Sequence, residues 1–173
     1  DFPNESLANQ LKMVARMIKL SRDTSFNIRH ARQIYYVRLG GFDMHDNLMS
    51  TGTSGHASYI ARISQALGAF WSALGEIGAQ NEVTTFTMSE FARTLSSNGN
   101  GSDHAWGSVN MIMGGRVQGG MYGDFPYGID PNFAPINGAN SFSRGQFIPT
   151  TSVDQMAATL ARWMGVTSNT DLN

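Results

Sequence analysis

The sequence predicts an α/β fold with a mostly parallel central sheet flanked by helices. Three observations carry that expectation. Apolar residues recur at helical spacing in three long segments. β-Branched and aromatic runs stand between the first two and after the second, so that helix and strand alternate as in parallel sheets. Nineteen glycines against five prolines supply tight turns between apolar segments that remain strong.

Taken in order, Leu7, Leu11, Val14 and Ile18 predict a helix from about Glu5 to Arg22, with Asn4 as its N-cap. Ile34 to Leu39 reads as a strand ended by Gly40 and Gly41. Ile60, Ile63, Leu67, Phe70, Leu74 and Ile77 predict a second helix, roughly Ser58 to Ile77. Val83 to Thr87 reads as a short strand. An irregular, Gly-rich region from Trp106 to Gly128 carries two further strand candidates, Val109 to Met113 and around Met121 and Tyr122. Ser152-Val153-Asp154-Gln155 has capping-box spacing, and Val153, Met156, Ala157, Leu160 and Met164 follow it as a third amphipathic helix. No linker or internal repeat divides the chain, so residues 1–173 are expected to form a single domain.

Composition excludes several functions. Lys12 and Lys19 are the only lysines, and no Lys/Arg block occurs at a net charge of −1, which argues against a nucleic-acid partner. Cysteine is absent, which removes disulfides and thiolate chemistry. No apolar run approaches the ~18 residues of a membrane span, and no signal peptide begins the chain. The opening Asp1-Phe2-Pro3, without an initiator Met, reads as the interior of something longer.

The chemistry-bearing residues cluster after the apolar runs, where open α/β sheets bind ligands. In extended backbone, Asp43 and His45 face the same side and offer one divalent ion a carboxylate oxygen and an imidazole nitrogen. The competing reading is a solvated loop with Asp43 in an Asx-turn. Thr87-Met88-Ser89-Glu90 matches a capping box, so Glu90 either closes the first turn of a short helix or presents a carboxylate. Arg93 either pairs with Glu90 at i,i+3 or holds a phosphate or sulfate bidentately. Asp103 and His104 follow the turn signal Asn98-Gly99-Asn100-Gly101 and point to opposite sides if extended, one to ligate and the other to orient a neighbour. His56 either orients a ligand of the site or is a local group before the second helix, and His30 reads as a surface residue. Trp106 either walls a pocket or packs.

Gly-Gly-Phe-Asp-Met-His at 40–45, Ser-Glu-Phe-Ala-Arg-Thr at 89–94, Asp-His-Ala-Trp-Gly at 103–107 and Pro-Thr-Thr-Ser-Val-Asp-Gln at 149–155 carry a resemblance over essentially the whole chain. They look like the uncharacterised-domain family numbered 1501, a distant relative of the alkaline phosphatase and sulfatase superfamily. The resemblance implies an alkaline-phosphatase-like sheet, of which this chain would be a C-terminal portion. It also implies a periplasmic or extracellular protein exported by a twin-arginine signal. Asp43 and His45 resemble the superfamily's first Asp and His pair, and His104 its later histidine. Glu90 falls where a ligating carboxylate is expected, whereas Phe91 occupies the place of a ligand histidine. Met44 stands where the family commonly has Thr, and Ala92 and Ala105 where it usually has Gly.

The implied function is metal-dependent hydrolysis of a phosphoric or sulfuric ester. Asp43, His45, Glu90 and His104 would hold a divalent ion (Zn, Mn, Ca or Mg), Arg93 would bind substrate, and Asp103 and His56 would orient ligands. The implied partners are a small anionic ester or a sulfated or phosphorylated glycan, and the remainder of the full-length chain or another subunit. The superfamily's nucleophile has no counterpart in residues 1–173, so the isolated chain is expected to be inactive. An exported, non-catalytic binding or assembly module with a degenerate metal site is the alternative.

Overall fold

The computed structural model describes residues 1–26, 28, 31–124, 141–142 and 144–168. His30 lies outside them. The chain forms two compact units. The first comprises Asp1–Met88, Asn98–Ser102 and Asn110–Gln118; the second comprises Ser89–Ser97, Asp103–Val109 and Gly119–Asn173.

In the first unit, α1 spans Ser6–Arg22 and α2 spans His56–Glu76. The cap of α1 is Glu5, not the expected Asn4: its Oε1 accepts from the Ala8 N–H at 2.6 Å. Asn4 precedes the first helical turn by one residue too many to reach those donors. Arg62 Nε lies 3.6 Å from the other Glu5 oxygen. The second helix starts before the expected Ser58 because Gly55 serves as N-cap without a side-chain bond. A Cβ at Gly55 would lie 1.8 Å from the Ser50 carbonyl oxygen, so only glycine fits there.

The two helices bury Leu7, Ala8, Leu11, Val14 and Ala15 against Ala66, Phe70 and Leu74. Ala8 and Ala66 are both fully buried, and their small side chains leave room for a close helix approach. Ile60 fits the helical spacing but is exposed, and so falls outside this face.

Residues 34–39 keep the alternation that predicted a strand. Tyr35, Val37 and Leu39 pack on the helical core, while Ile34 and Tyr36 face outward at 86% and 83% exposure. Among the described residues, however, this run belongs to no ladder. Its backbone is met by a side chain instead: the Arg38 N–H donates to Gln10 Oε1 at 2.9 Å, and Gln10 Nε2 donates to the Arg38 carbonyl at 2.9 Å.

The expected strand at Val83 to Thr87 forms β1, Thr84–Phe86. β1 pairs with β4, Ile112–Gly114, in the register Thr84↔Gly114, Thr85↔Met113 and Phe86↔Ile112. Hence only the end of the candidate Val109 to Met113 enters the ladder. The Gly115 N–H continues the edge to the Gln80 carbonyl at 2.8 Å.

The second unit contains β2 (Ala92–Arg93), β3 (His104–Ala105), β5 (Ser141–Phe142), β6 (Gln146–Phe147) and α3 (Val153–Trp163). The Ser152–Gln155 capping box is formed in both directions: Gln155 N–H to Ser152 Oγ at 3.2 Å, and Ser152 N–H to Gln155 Oε1 at 2.8 Å. Met121 and Tyr122 are exposed and irregular rather than a strand.

β2 pairs with β3 and β5 with β6. Every strand pairing among the described residues is antiparallel and two-stranded, and the expected parallel central sheet is not among these pairings. No helix among them is long and apolar enough to cross a membrane.

Candidate functional site

In the first unit, the chain leaves its extended run through Gly40 and Gly41. Gly41 has φ +101°, and a Cβ on it would fall 2.6 Å from the Tyr59 ring, so this turn requires glycine. Phe42 then packs edge-on to Tyr59 (centroids 5.4 Å) and to His56 (6.1 Å). His56 opens α2, and its N–H donates to the Leu48 carbonyl at 2.9 Å. His56 thus supports Phe42 and the loop after Asp43. Met44 is buried, while Asp43 and His45 on either side of it are exposed. The Met44 N–H donates to the Phe42 carbonyl at 2.9 Å, so the chain turns at Asp43 and is not the extended backbone that the Asp-x-His reading assumed. Asp43 Oδ1 lies 2.9 Å from His45 Nε2.

That distance suits a shared ion. With metal–ligand bonds of about 2.1 Å, two donors at a right angle lie about 3.0 Å apart, and at a tetrahedral angle about 3.4 Å. In the absence of an ion, the same geometry serves a hydrogen bond or ion pair.

The Asn98–Ser102 loop clamps the backbone that carries this pair. Asn98 Nδ2 donates to the His45 carbonyl at 3.0 Å, and the Ser102 N–H donates to the Met44 carbonyl at 3.2 Å. The Leu48 N–H donates to the Asn100 carbonyl at 3.1 Å, and Asn100 Nδ2 reaches Asp46 at 3.3 Å. The loop holds its own shape through Asn98 Oδ1, which accepts from the Gly101 N–H at 2.8 Å and the Asn100 N–H at 3.2 Å. A Cβ on Gly101 would lie 2.3 Å from the Met44 and His45 carbonyl oxygens. Glycine is therefore needed at 101 for close backbone approach. The turn signal at 98–101 marked this loop in the sequence, but not the carbonyls on which it docks.

In the second unit, Arg93 pairs with His104 and Ala92 with Ala105 in the β2–β3 ladder. Ala92 and Ala105 are buried, so Arg93 and His104 share the opposite face of the ribbon. Ala92 and Ala105 are thus directly opposed, and their methyl groups occupy one buried face together. Phe91 stacks on the His104 ring, with centroids 4.1 Å apart and an interplanar angle of 14°. The Arg93 guanidinium carbon stands 5.6 Å from the Phe91 centroid, in cation–π range.

Asp103 turns the other way and forms an ion pair with Arg144. It also exchanges bonds with Thr94: the Thr94 N–H donates to the Asp103 carbonyl at 2.9 Å, and the Asp103 N–H donates to Thr94 Oγ1 at 3.1 Å. Gln146 Nε2 donates to the His104 carbonyl at 3.2 Å. Asp103 therefore steadies the strand that bears His104.

Glu90 is exposed in the bend before β2, and no helix starts at Thr87. The capping-box reading of 87–90 fails because the following residues pair with β3 instead of winding into a turn. Trp106 is 61% exposed, so it is not the packed residue that one reading expected.

Residues 26–170 match the family model described as "Protein of unknown function (DUF1501)". No curated protein and no solved structure matches the chain.

Proposed function

The chain belongs to the DUF1501 family, and on that premise we propose that it carries a divalent-metal centre for handling a phosphoric or sulfuric ester. Asp43 and His45 are the first two ligands and His104 the third, with Glu90 a further ligand or an orienter. The observation that carries the reading is the pair Asp43 Oδ1 and His45 Nε2, 2.9 Å apart on a backbone clamped by the Asn98–Ser102 loop. The family resemblance assigns His104, two residues after Ser102 in the sequence, the place of the third ligand.

A carboxylate with two imidazoles is a donor set suited to Zn and Mn. Such an ion polarises a phosphoryl or sulfuryl oxygen and stabilises the charge that develops on it. Arg93, on the same ribbon face as His104, supplies the planar donor fork that binds such an anion. A small ester and a sulfated or phosphorylated glycan share this chemistry. The family resemblance, with its exported members, favours a periplasmic or extracellular setting.

A second reading is favoured by one residue. Phe91 stands where a ligand histidine is expected and lies against His104, which suits a binding or assembly module whose metal site has decayed. Elemental analysis after chelator-free purification, followed by assays on 4-nitrophenyl phosphate and sulfate with Zn, Mn, Ca or Mg, separates the two. Near-stoichiometric metal, lost in Asp43→Ala and His104→Ala, supports the metal-centre reading, and ester hydrolysis abolished in His104→Ala would overturn the expectation that the isolated chain is inactive. Absence of any bound divalent ion, with Asp43→Ala leaving thermal stability unchanged, would overturn it in favour of the binding module.

A further inference from the structure

We infer that Phe91 is a positioning residue for His104, holding the plane of its metal-binding imidazole in one orientation. This inference rests on the metal-centre reading and deepens it. Strand alternation buries Ala92 and Ala105 on one side of the β2–β3 ribbon and puts Arg93 and His104 on the other. The Phe91 ring lies face to face with the imidazole, 4.1 Å between centroids and 14° from parallel. The backbone beneath the histidine is fixed by the ladder and by Gln146 Nε2 at its carbonyl.

The imidazole lone pair that binds a metal lies in the ring plane. A neighbour stacked on the ring face therefore restricts rotation about both side-chain torsions without competing for the lone pair. A hydrogen-bonding partner such as a second histidine would restrict the ring too, but would draw on one of its nitrogens. Removing rotamer freedom before binding lowers the entropy that the metal must offset. Phe91 thus has a role at a position that otherwise reads as a lost ligand. The cation–π contact of Arg93 with the same ring places the anion-binding candidate and the metal-ligand candidate on one shared aromatic support.

The test is calorimetric titration of Zn²⁺ into the wild-type chain, Phe91→Leu and Phe91→Tyr. Proton NMR of the His104 ring is recorded for each. Phe91→Leu keeps apolar bulk and loses the ring, and is expected to weaken Zn²⁺ binding by about 3- to 10-fold, the range set by aromatic stacking. Phe91→Tyr restores the wild-type affinity. The His104 ring protons are expected to carry an upfield ring-current shift in the wild type that disappears in Phe91→Leu.

A wild-type chain that binds Zn²⁺ with an affinity unchanged in Phe91→Leu would overturn the inference while leaving the metal centre standing. A wild-type chain that binds no Zn²⁺ would overturn the metal centre itself. If Phe91→Leu does not fold, the wild-type spectrum decides: His104 ring protons at random-coil positions would refute the stack.

Discussion

Replacing Gly101 by Ala tests whether the Asn98–Ser102 loop is seated on the Asp43–His45 backbone. The added methyl would fall 2.3 Å from the Met44 and His45 carbonyl oxygens, a separation that forces the loop away. Moving the loop breaks the Ser102 bond to Met44 and the Asn98 bond to His45. At about 1 kcal/mol net for each bond, with overpacking of about 1–3 kcal/mol of which relaxation recovers part, the loss is about 2–4 kcal/mol. For a chain of this size each kcal/mol lowers Tm by about 2–4 °C, so a fall of roughly 5–15 °C is expected. Gly40→Ala is the matched control, because no atom lies within 4 Å of its added Cβ and its φ is not positive. Thermal unfolding followed by circular dichroism reads both variants. A Gly101→Ala melting temperature within 1 °C of Gly40→Ala, by the magnitudes above, would refute the clamp.

Three further outcomes are expected. Leu74→Ala, at one of the most deeply buried sites of the α1–α2 core, lowers the unfolding free energy by about 2–5 kcal/mol in urea titration; a loss below about 1 kcal/mol would contradict that core. Ser152→Ala removes one arm of the α3 capping box and costs about 1 kcal/mol, which appears as faster amide exchange confined to the first turns of α3; unchanged exchange there would count against the box. Burial raises the Tyr35 phenol above its ordinary pKa near 10, so the folded state disfavours the phenolate. That contribution is fully present below the unfolded phenol's pKa and is lost as pH rises through the folded one. Wild-type stability should therefore decline above pH ~10 more steeply than that of Tyr35→Phe, and parallel declines would show that Tyr35 is not the group responsible.

Local information carried much of the fold. The apolar spacing of Leu7, Leu11 and Val14, and of Phe70 and Leu74, identified α1 and α2, and the Ser152 and Gln155 spacing located the start of α3. What stayed hidden depended on partners distant in sequence. The Ile34 to Leu39 alternation was legible, and Tyr35, Val37 and Leu39 do pack inward, but alternation says nothing about which backbone a strand pairs with. Thr87 to Glu90 carries a helix-start pattern that pairing of Ala92 and Arg93 with Ala105 and His104 overrides. The ligand-like spacing of Asp43 and His45 was readable because it is local, although a turn at Asp43 and not the period of an extended strand sets it. The docking of the Asn98–Ser102 loop on Met44 and His45 joins segments about 55 residues apart, and no single-residue signal announces it. The Phe91–His104 stack was equally invisible, since Phe91 read only as a missing ligand.

The most direct measurement of the central claim is calorimetric titration of Zn²⁺ and Mn²⁺ into the chelator-stripped chain beside Asp43→Ala and His104→Ala. One ion is expected to bind per wild-type chain. At an ion concentration of about 100 times Kd, a rise in stability of about 2.7 kcal/mol is expected as well. Both should be lost or reduced at least tenfold in affinity in each variant. Binding of equal stoichiometry and affinity in all three proteins, or none in the wild type, would contradict the claim.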